Sequence, residues 1–285
     1  MVNKIKILVT GAKGMLGTDF CEYIKKNNLA PIEWDLPDND ITEVNRTIKD
    51  IEQLKPQVVF HFAAYTDVDG CELNKSKAYA VNTQGTWAMV LATKEIGAKF
   101  IYISTDYVFD GKKESYQETD TPNPINYYGL TKFLGEKLVL QHLKKYFIVR
   151  TSWLFGKHGK NFVSTILKLA REEKRLEVVN DQIGSPTYTK DLCEPLYQLM
   201  NCEHYGIYHL TNSGICSWYD FAKEIIKQTG LTTPVIPITS DKLTRPAKRP
   251  NFSVLENHNY KKIFNKSLRN WQEALTDFLK ENSTQ

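Results

Sequence analysis

Tyr128 and Lys132 stand four apart in the run Asn126-Tyr-Tyr-Gly-Leu-Thr-Lys132. On a helix, positions i and i+4 share a face one turn apart. An ammonium so placed favours the phenolate and is expected to lower the phenol's pKa from its usual value of about 10. A phenol tuned toward neutral pH is a general acid, able to protonate a carbonyl oxygen as a hydride reaches its carbon. Thr105 closes a strand-like run, Lys99-Phe-Ile-Tyr-Ile-Ser-Thr105, and can offer the same oxygen a second hydrogen bond. An apolar run, Ile5 to Thr10, leads into Gly11-Ala-Lys-Gly-Met-Leu-Gly17. Together these features imply nicotinamide-dependent carbonyl reduction.

Spacing alone does not select the pair, because Tyr219 and Lys223 share it. That second pair lies in Ser217-Trp-Tyr-Asp-Phe-Ala-Lys223, an ordinary amphipathic helix with Ser217 as N-cap and no Ser-Thr strand end upstream. Tyr219 therefore reads as structural. Tyr127 fails the test, since Thr131 is four residues on.

The glycine run gains meaning from its place between a buried strand and a helix. Gly11 suits a tight turn, Gly14 admits a pyrophosphate, Gly17 lets helix and strand pack, and the helix N-terminus faces the phosphates. Asp35 follows the second strand, roughly twenty residues on, where a carboxylate binds the adenine ribose hydroxyls. Glu33 competes for that role, and Lys13 tolerates a 2′-phosphate, so NADH and NADPH both stay open. Asp40-Ile41 and Ala63-Ala64-Tyr65 follow the second and third strands, where adenine and nicotinamide-ribose contacts fall in such folds; strand-to-helix packing explains them nearly as well. His61, inside an apolar strand, reads as a core histidine. Trp153 follows the fifth strand and is either core or an apolar platform for a sugar ring.

Strands and helices alternate through the first half. Strands are expected at 5–10, 31–34, 57–62, 100–104 and 146–150, with helices between, including a long one from Ser76 to Ile96. That order implies an α/β fold with a doubly wound parallel sheet. After Arg150 the pattern loosens, as in a smaller α/β substrate-binding domain. The expected division is 1–150 for an NAD(P)-binding Rossmann domain and 151–285 mainly for substrate, with about 188–202 returning to the first.

The 285 residues carry a net charge of +4 and 41% hydrophobic residues, enough for a large core and without the basic tracts of a nucleic-acid binder. The cluster Lys242, Arg245, Lys248 and Arg249 better suits a small anion such as a nucleotide diphosphate. Five cysteines without a CxxC pair argue against disulfides and zinc, and no apolar run spans a membrane. A cytoplasmic protein is expected.

Over nearly its whole length the chain resembles the dTDP-4-dehydrorhamnose reductase family of extended short-chain dehydrogenase/reductases. The resemblance rests on Gly11–Gly17, Asp40-Ile-Thr42, Ala63-Ala-Tyr-Thr-Asp-Val-Asp69, Ser104-Thr-Asp-Tyr-Val-Phe-Asp-Gly111 and Tyr128-Gly-Leu-Thr-Lys132. It continues through Arg150-Thr-Ser-Trp-Leu-Phe-Gly156, Asp181-Gln-Ile-Gly-Ser-Pro-Thr187 and Arg249-Pro-Asn-Phe-Ser-Val-Leu255. The block 104–111 is the most specific. The resemblance implies reduction of the 4-keto group of dTDP-4-dehydro-L-rhamnose by NADPH or NADH, with Tyr128 as proton donor. Lys132 would orient the nicotinamide ribose, and Thr105 would tune the tyrosine. Val68, Thr105, Asp106 and Trp153 would bind substrate; Arg249 is a substrate candidate through the basic cluster, for which a solvated loop is the alternative. Gly11, Lys13, Gly14, Met15, Leu16, Gly17, Asp40, Ile41, Ala63, Ala64 and Tyr65 would contact cofactor, beside Asp35 as read above from its place after the second strand. Some members form metal-dependent dimers, so a homodimer and Mg2+ are open, with no ligands assignable. Other nucleotide-sugar reductases, epimerases and dehydratases share the fold; a dehydratase typically carries Glu where Tyr107 stands. A non-catalytic regulatory subunit resembling that of methionine adenosyltransferase is the reading from another class.

Overall fold

The computed structural model describes residues 5–283; residues 1–4 and 284–285, at the outer ends of the two expected domains, lie outside the described residues. Five parallel strands come from the first half: β1 (Ile7–Thr10), β2 (Pro31–Trp34), β3 (Val58–His61), β4 (Lys99–Thr105) and β5 (Tyr146–Thr151). They order as β2-β1-β3-β4-β5, and a sixth strand, Gly206–His209, pairs in parallel with β5. Order reverses between β1 and β3, which opens the ligand crevice of doubly wound sheets at the strands' carboxyl ends. The α/β, Rossmann-type fold is as the sequence implies.

The inner strands β1 and β3 are buried on both faces and mainly apolar, whereas β2, at the sheet's edge, exposes Glu33. Alternation assigns the faces: Ile7, Val9, Val58, Phe60 and Ile101 enter one core, while Leu8, Val59, Phe100 and Tyr102 enter the other. Helix α1 (Met15–Lys26) lies on the first face with helix Thr189–Met200, whose Leu192, Leu196 and Leu199 join that core. A separate apolar cluster around Phe155, Phe221, Trp271 and Phe278 supports short pairs such as Leu176–Val179 with Val235–Ile238.

The expected long helix contains a π-helical turn, Ala80–Gly85, between Lys75–Tyr79 and Thr86–Ile96. Such turns concentrate near functional sites. Here the turn carries buried Asn82, whose side chain bonds both the N–H and the carbonyl of Tyr65, at 2.8 and 3.1 Å, and Thr131 Oγ1 at 3.0 Å. The segment after β3 is thereby pinned to the helix bearing Tyr128. Among the described residues, no helix is long and apolar enough to cross a membrane.

Candidate active site

A cleft of about 670 Å³ opens at the carboxyl edge of the sheet and collects most of the singled-out residues. Gly11 adopts φ 68°, and a Cβ on it would approach Ala63 N to 2.7 Å, so the glycine turn can lie against the end of β3 only without a side chain. Helix α1 then begins at Met15 with Gly14 as N-cap and no side-chain cap. Its first amides are left for an anion. Lys13, Met15, Leu16, Gly17, Asp35, Asp40, Ile41, Ala63, Ala64 and Val68 line the same cleft.

Helix Tyr127–His142 is capped by Asn126, which accepts from Gly129 N at 2.8 Å. Gly129 lets the first turn descend onto the Tyr107 carbonyl; a Cβ there would come within 2.0 Å of that oxygen. This close approach sets Tyr128 beside the end of β4. Tyr128, Lys132, Thr105, Asp106 and Trp153 all line the cleft. Thr105 donates to Asp106 Oδ1 at 2.9 Å, while Asp106 Oδ2 and Thr151 Oγ1 are buried without a hydrogen-bond partner among the described residues. Unpaired buried polar atoms at a cleft are what a bound polar ligand satisfies. With the uncapped helix start, they fit a dinucleotide and a sugar.

The electrostatics correct one expectation. Burial pushes the Tyr128 phenol above its ordinary value, Asp106 adds to this, and a hydrogen bond with Thr105 opposes it. Lys132 does not reverse the direction. Its ammonium is itself buried, sits 4.2 Å from the centre of the Tyr102 ring, and is pushed down to about 7 by desolvation. A desolvated cation that readily loses its proton is a weak partner for a phenolate. Burial likewise pushes the Asp106 carboxyl up to about 7.

Two expected ligand contacts lie elsewhere. Arg249 does not line the cleft, because Asp69, in the first turn of helix Val68–Leu73, takes its guanidinium at 2.5 Å. Burial raises the Asp69 carboxyl, but bonding from Arg249 and Ala247 outweighs it and holds it below the usual range. Arg245 joins the same carboxylate at 3.5 Å, so the basic cluster straps the later segment to the first half. Tyr65 does not line the cleft either; its ring faces Lys77 Nζ at 4.7 Å. His61 is a core residue, with ring nitrogens 2.8 Å from Thr10 Oγ1 and 3.1 Å from Thr86 Oγ1. Tyr219 packs in the later core with Lys223 over its ring, away from the cleft.

Sequence reasoning missed Tyr107, Lys160 and Trp218, which also line the cleft. Tyr107 meets Tyr128 edge-on at 6.1 Å. Its place in the family-like block after β4 was a usable signal, whereas nothing local marks Trp218. Among the described residues, no three His, Cys, Asp or Glu side chains are grouped to hold a metal ion.

The sequence pattern of the RmlD substrate binding domain matches residues 5–284. The chain belongs to this family. It is 41% identical over 280 residues to the spore coat polysaccharide biosynthesis protein SpsK of Bacillus subtilis, covering 98% of each chain. It is 39% identical to a dTDP-4-dehydrorhamnose reductase of Aggregatibacter actinomycetemcomitans, covering 95% of this chain and 97% of that one. The crystal structure of dTDP-4-dehydrorhamnose reductase from Bacillus anthracis in complex with NADP superposes with a TM-score of 0.94 at 38% identity, covering 98% of this chain and 99% of that one. Membership is thus carried by the whole chain and not by its dinucleotide fold alone.

Proposed function

We propose that the protein reduces the 4-keto group of dTDP-4-dehydro-L-rhamnose to give dTDP-L-rhamnose, with Tyr128 as proton donor. The observation that carries the reading is the convergence of Tyr128, Thr105 and Lys132 on the cleft that the glycine loop opens. When bound, the reduced nicotinamide supplies the hydride. The chain's own residues hold the ligands and move the proton. Tyr128 gives its phenolic proton to the sugar oxygen, and the Thr105 hydroxyl, turning from Asp106 Oδ1, donates to the phenolate that remains. Lys132 holds the ribose hydroxyls beside the carbonyl. Asp106 Oδ2, Val68 and Trp153 contact the sugar.

Both cofactors are expected to serve. The Asp35 carboxylate is fixed by the amides of Lys13 and Leu36 at 2.7 and 2.8 Å and faces the cleft for ribose hydroxyls. On the same rim, Lys13 Nζ bonds the Leu36 carbonyl at 3.2 Å and is the cation proposed for a 2′-phosphate. Residues 1–150, with helix Thr189–Met200 and strand Gly206–His209, form the cofactor-binding domain on this reading. Its soluble reactants make the cytoplasm the proposed compartment.

The test is incubation with NADPH and dTDP-4-dehydro-L-rhamnose while following the absorbance of the reduced cofactor. Stoichiometric cofactor loss with formation of dTDP-L-rhamnose is expected. Intact protein that binds NADPH yet consumes none would sink the proposal.

A further inference from the structure

Lys132 brings a cation into the wall of the cleft and is almost completely buried there. Among the described residues, no hydrogen bond or ion pair reaches its Nζ atom. What it meets is the ring of Tyr102, whose centre it overlies at 4.2 Å. The titratable groups around it supply little free opposite charge. On its own helix, Glu136 attracts the ammonium but is already held by Arg150 of β5 and by Ser104 of β4. Tyr128, one turn back, keeps its proton because burial pushes its phenol up, and Tyr102 does so for the same reason. His61, on β3, is kept neutral by burial, which pushes its imidazole down to about 3. An aromatic face attracts a cation through its quadrupole, most strongly where water is excluded.

The ring is itself fixed. Tyr102 is fully buried on β4 and shares a core with Val139 of the Tyr128 helix. Its hydroxyl donates to the Lys132 carbonyl at 3.2 Å. Gly135 makes room for that contact, since a Cβ there would come within 2.3 Å of the Tyr102 hydroxyl oxygen. The His61 ring stacks alongside, with centroids 5.7 Å apart. One side chain thus holds Lys132 at both ends, its hydroxyl on the backbone and its ring under the ammonium.

We infer that Tyr102 is a positioning residue whose ring face keeps Lys132 charged and aimed at the cofactor ribose. The inference rests on the proposed reductase reading, in which that ammonium holds the ribose hydroxyls. Core filling would require only apolar volume at position 102. Holding a cation requires an electron-rich ring face, and a ring's electrons can be withdrawn while its shape is kept.

NMR titration of the lysine ε-methylene groups in the isotope-labelled full chain reads the charge, with the Lys132 signal assigned by its loss in Lys132→Met. The native midpoint is expected at about 7. Tyr102→Phe loses the hydroxyl bond, keeps the ring face and should titrate close to native. Fluorinated phenylalanines placed at position 102 withdraw electrons from that face. The midpoint should fall with each added fluorine, by about one pH unit for a trifluorinated ring. Turnover needs the ammonium, so its alkaline decline should move down by the same step. Equal midpoints in the Phe and fluorinated chains overturn the inference, as does a midpoint that falls while the alkaline decline of turnover stays put. Should the trifluorinated chain not fold, the singly fluorinated one makes the same comparison with a smaller step. The midpoints are read without substrate. A native chain that reduces no 4-keto sugar therefore sinks the reductase reading, while the titrations still judge the ring's hold on Lys132.

Discussion

Arg150, on β5, grips Glu136 with two hydrogen bonds, Nε to Oε1 at 2.9 Å and Nη2 to Oε2 at 2.7 Å, and both side chains are almost completely buried. Ser104 adds a third bond to Glu136 Oε1 at 2.6 Å. Glu136 is one turn past Lys132, so the pair ties the Tyr128 helix to β4 and β5. Glu136→Ala leaves the guanidinium uncompensated and is expected to cost about 3–5 kcal/mol. Urea unfolding measures it. A double variant, Glu136→Leu with Arg150→Met, should recover much of the loss.

Tyr128→Phe removes the proposed proton donor and keeps the ring. Turnover is expected to fall by about 10²–10⁴-fold, the scale of a positioned acid. NADPH affinity should hold, and Tyr219→Phe should behave as native. Comparable losses in both variants would place the chemistry elsewhere.

Thr105→Val deletes the hydroxyl that opposes the upward push on the Tyr128 phenol. A hydrogen bond to a group that becomes charged contributes about 1.5–3 kcal/mol, so turnover should drop by roughly ten- to a hundredfold. Binding of NADPH should not change. A native-like rate would show that Thr105 has no part in proton transfer.

Lys132 gives a stability prediction with a definite sign. Its folded-state pKa, about 7, lies below its usual value, so the unfolded chain holds the proton more tightly. The resulting cost to the fold is complete below pH 7 and disappears as pH rises toward about 10.4, the unperturbed lysine value. Lys132→Met should therefore be more stable than the native chain at pH 6, by on the order of a few kcal/mol. That gain should shrink through pH 8 to 10 while reductase activity is lost. Denaturant midpoints across this range check it. A gain that grows with pH would contradict the burial of a charged ammonium.

Asp69→Ala removes the carboxylate that holds Arg245 and Arg249. The expected result is faster amide exchange in residues 243–250, with exchange in β1 and β3 unchanged. Mass-resolved hydrogen exchange reads both. Unaltered exchange in the strap would show that Asn126, which donates to Lys248 O at 2.9 Å, is the stronger tie.

What was legible in the residues followed from local pattern. Apolar runs that alternate between two buried faces declare a parallel sheet, and Gly11 with Gly14 and Gly17 declares a phosphate-binding turn. Tyr128 was separable from Tyr219 because only one of them follows a Ser-Thr strand end. Spacing could also put Lys132 on the face of Tyr128, but not say whether water would reach it. Burial decided that, and it reversed the expected effect on the phenol. Distance along the chain hid the rest. Arg249 is captured by Asp69, Trp218 covers Trp153, and Gly206–His209 extends the sheet beside β5. None of these has a period or a motif, because each is a contact between segments that meet only when the chain folds, and desolvation likewise depends on every element packed around a group.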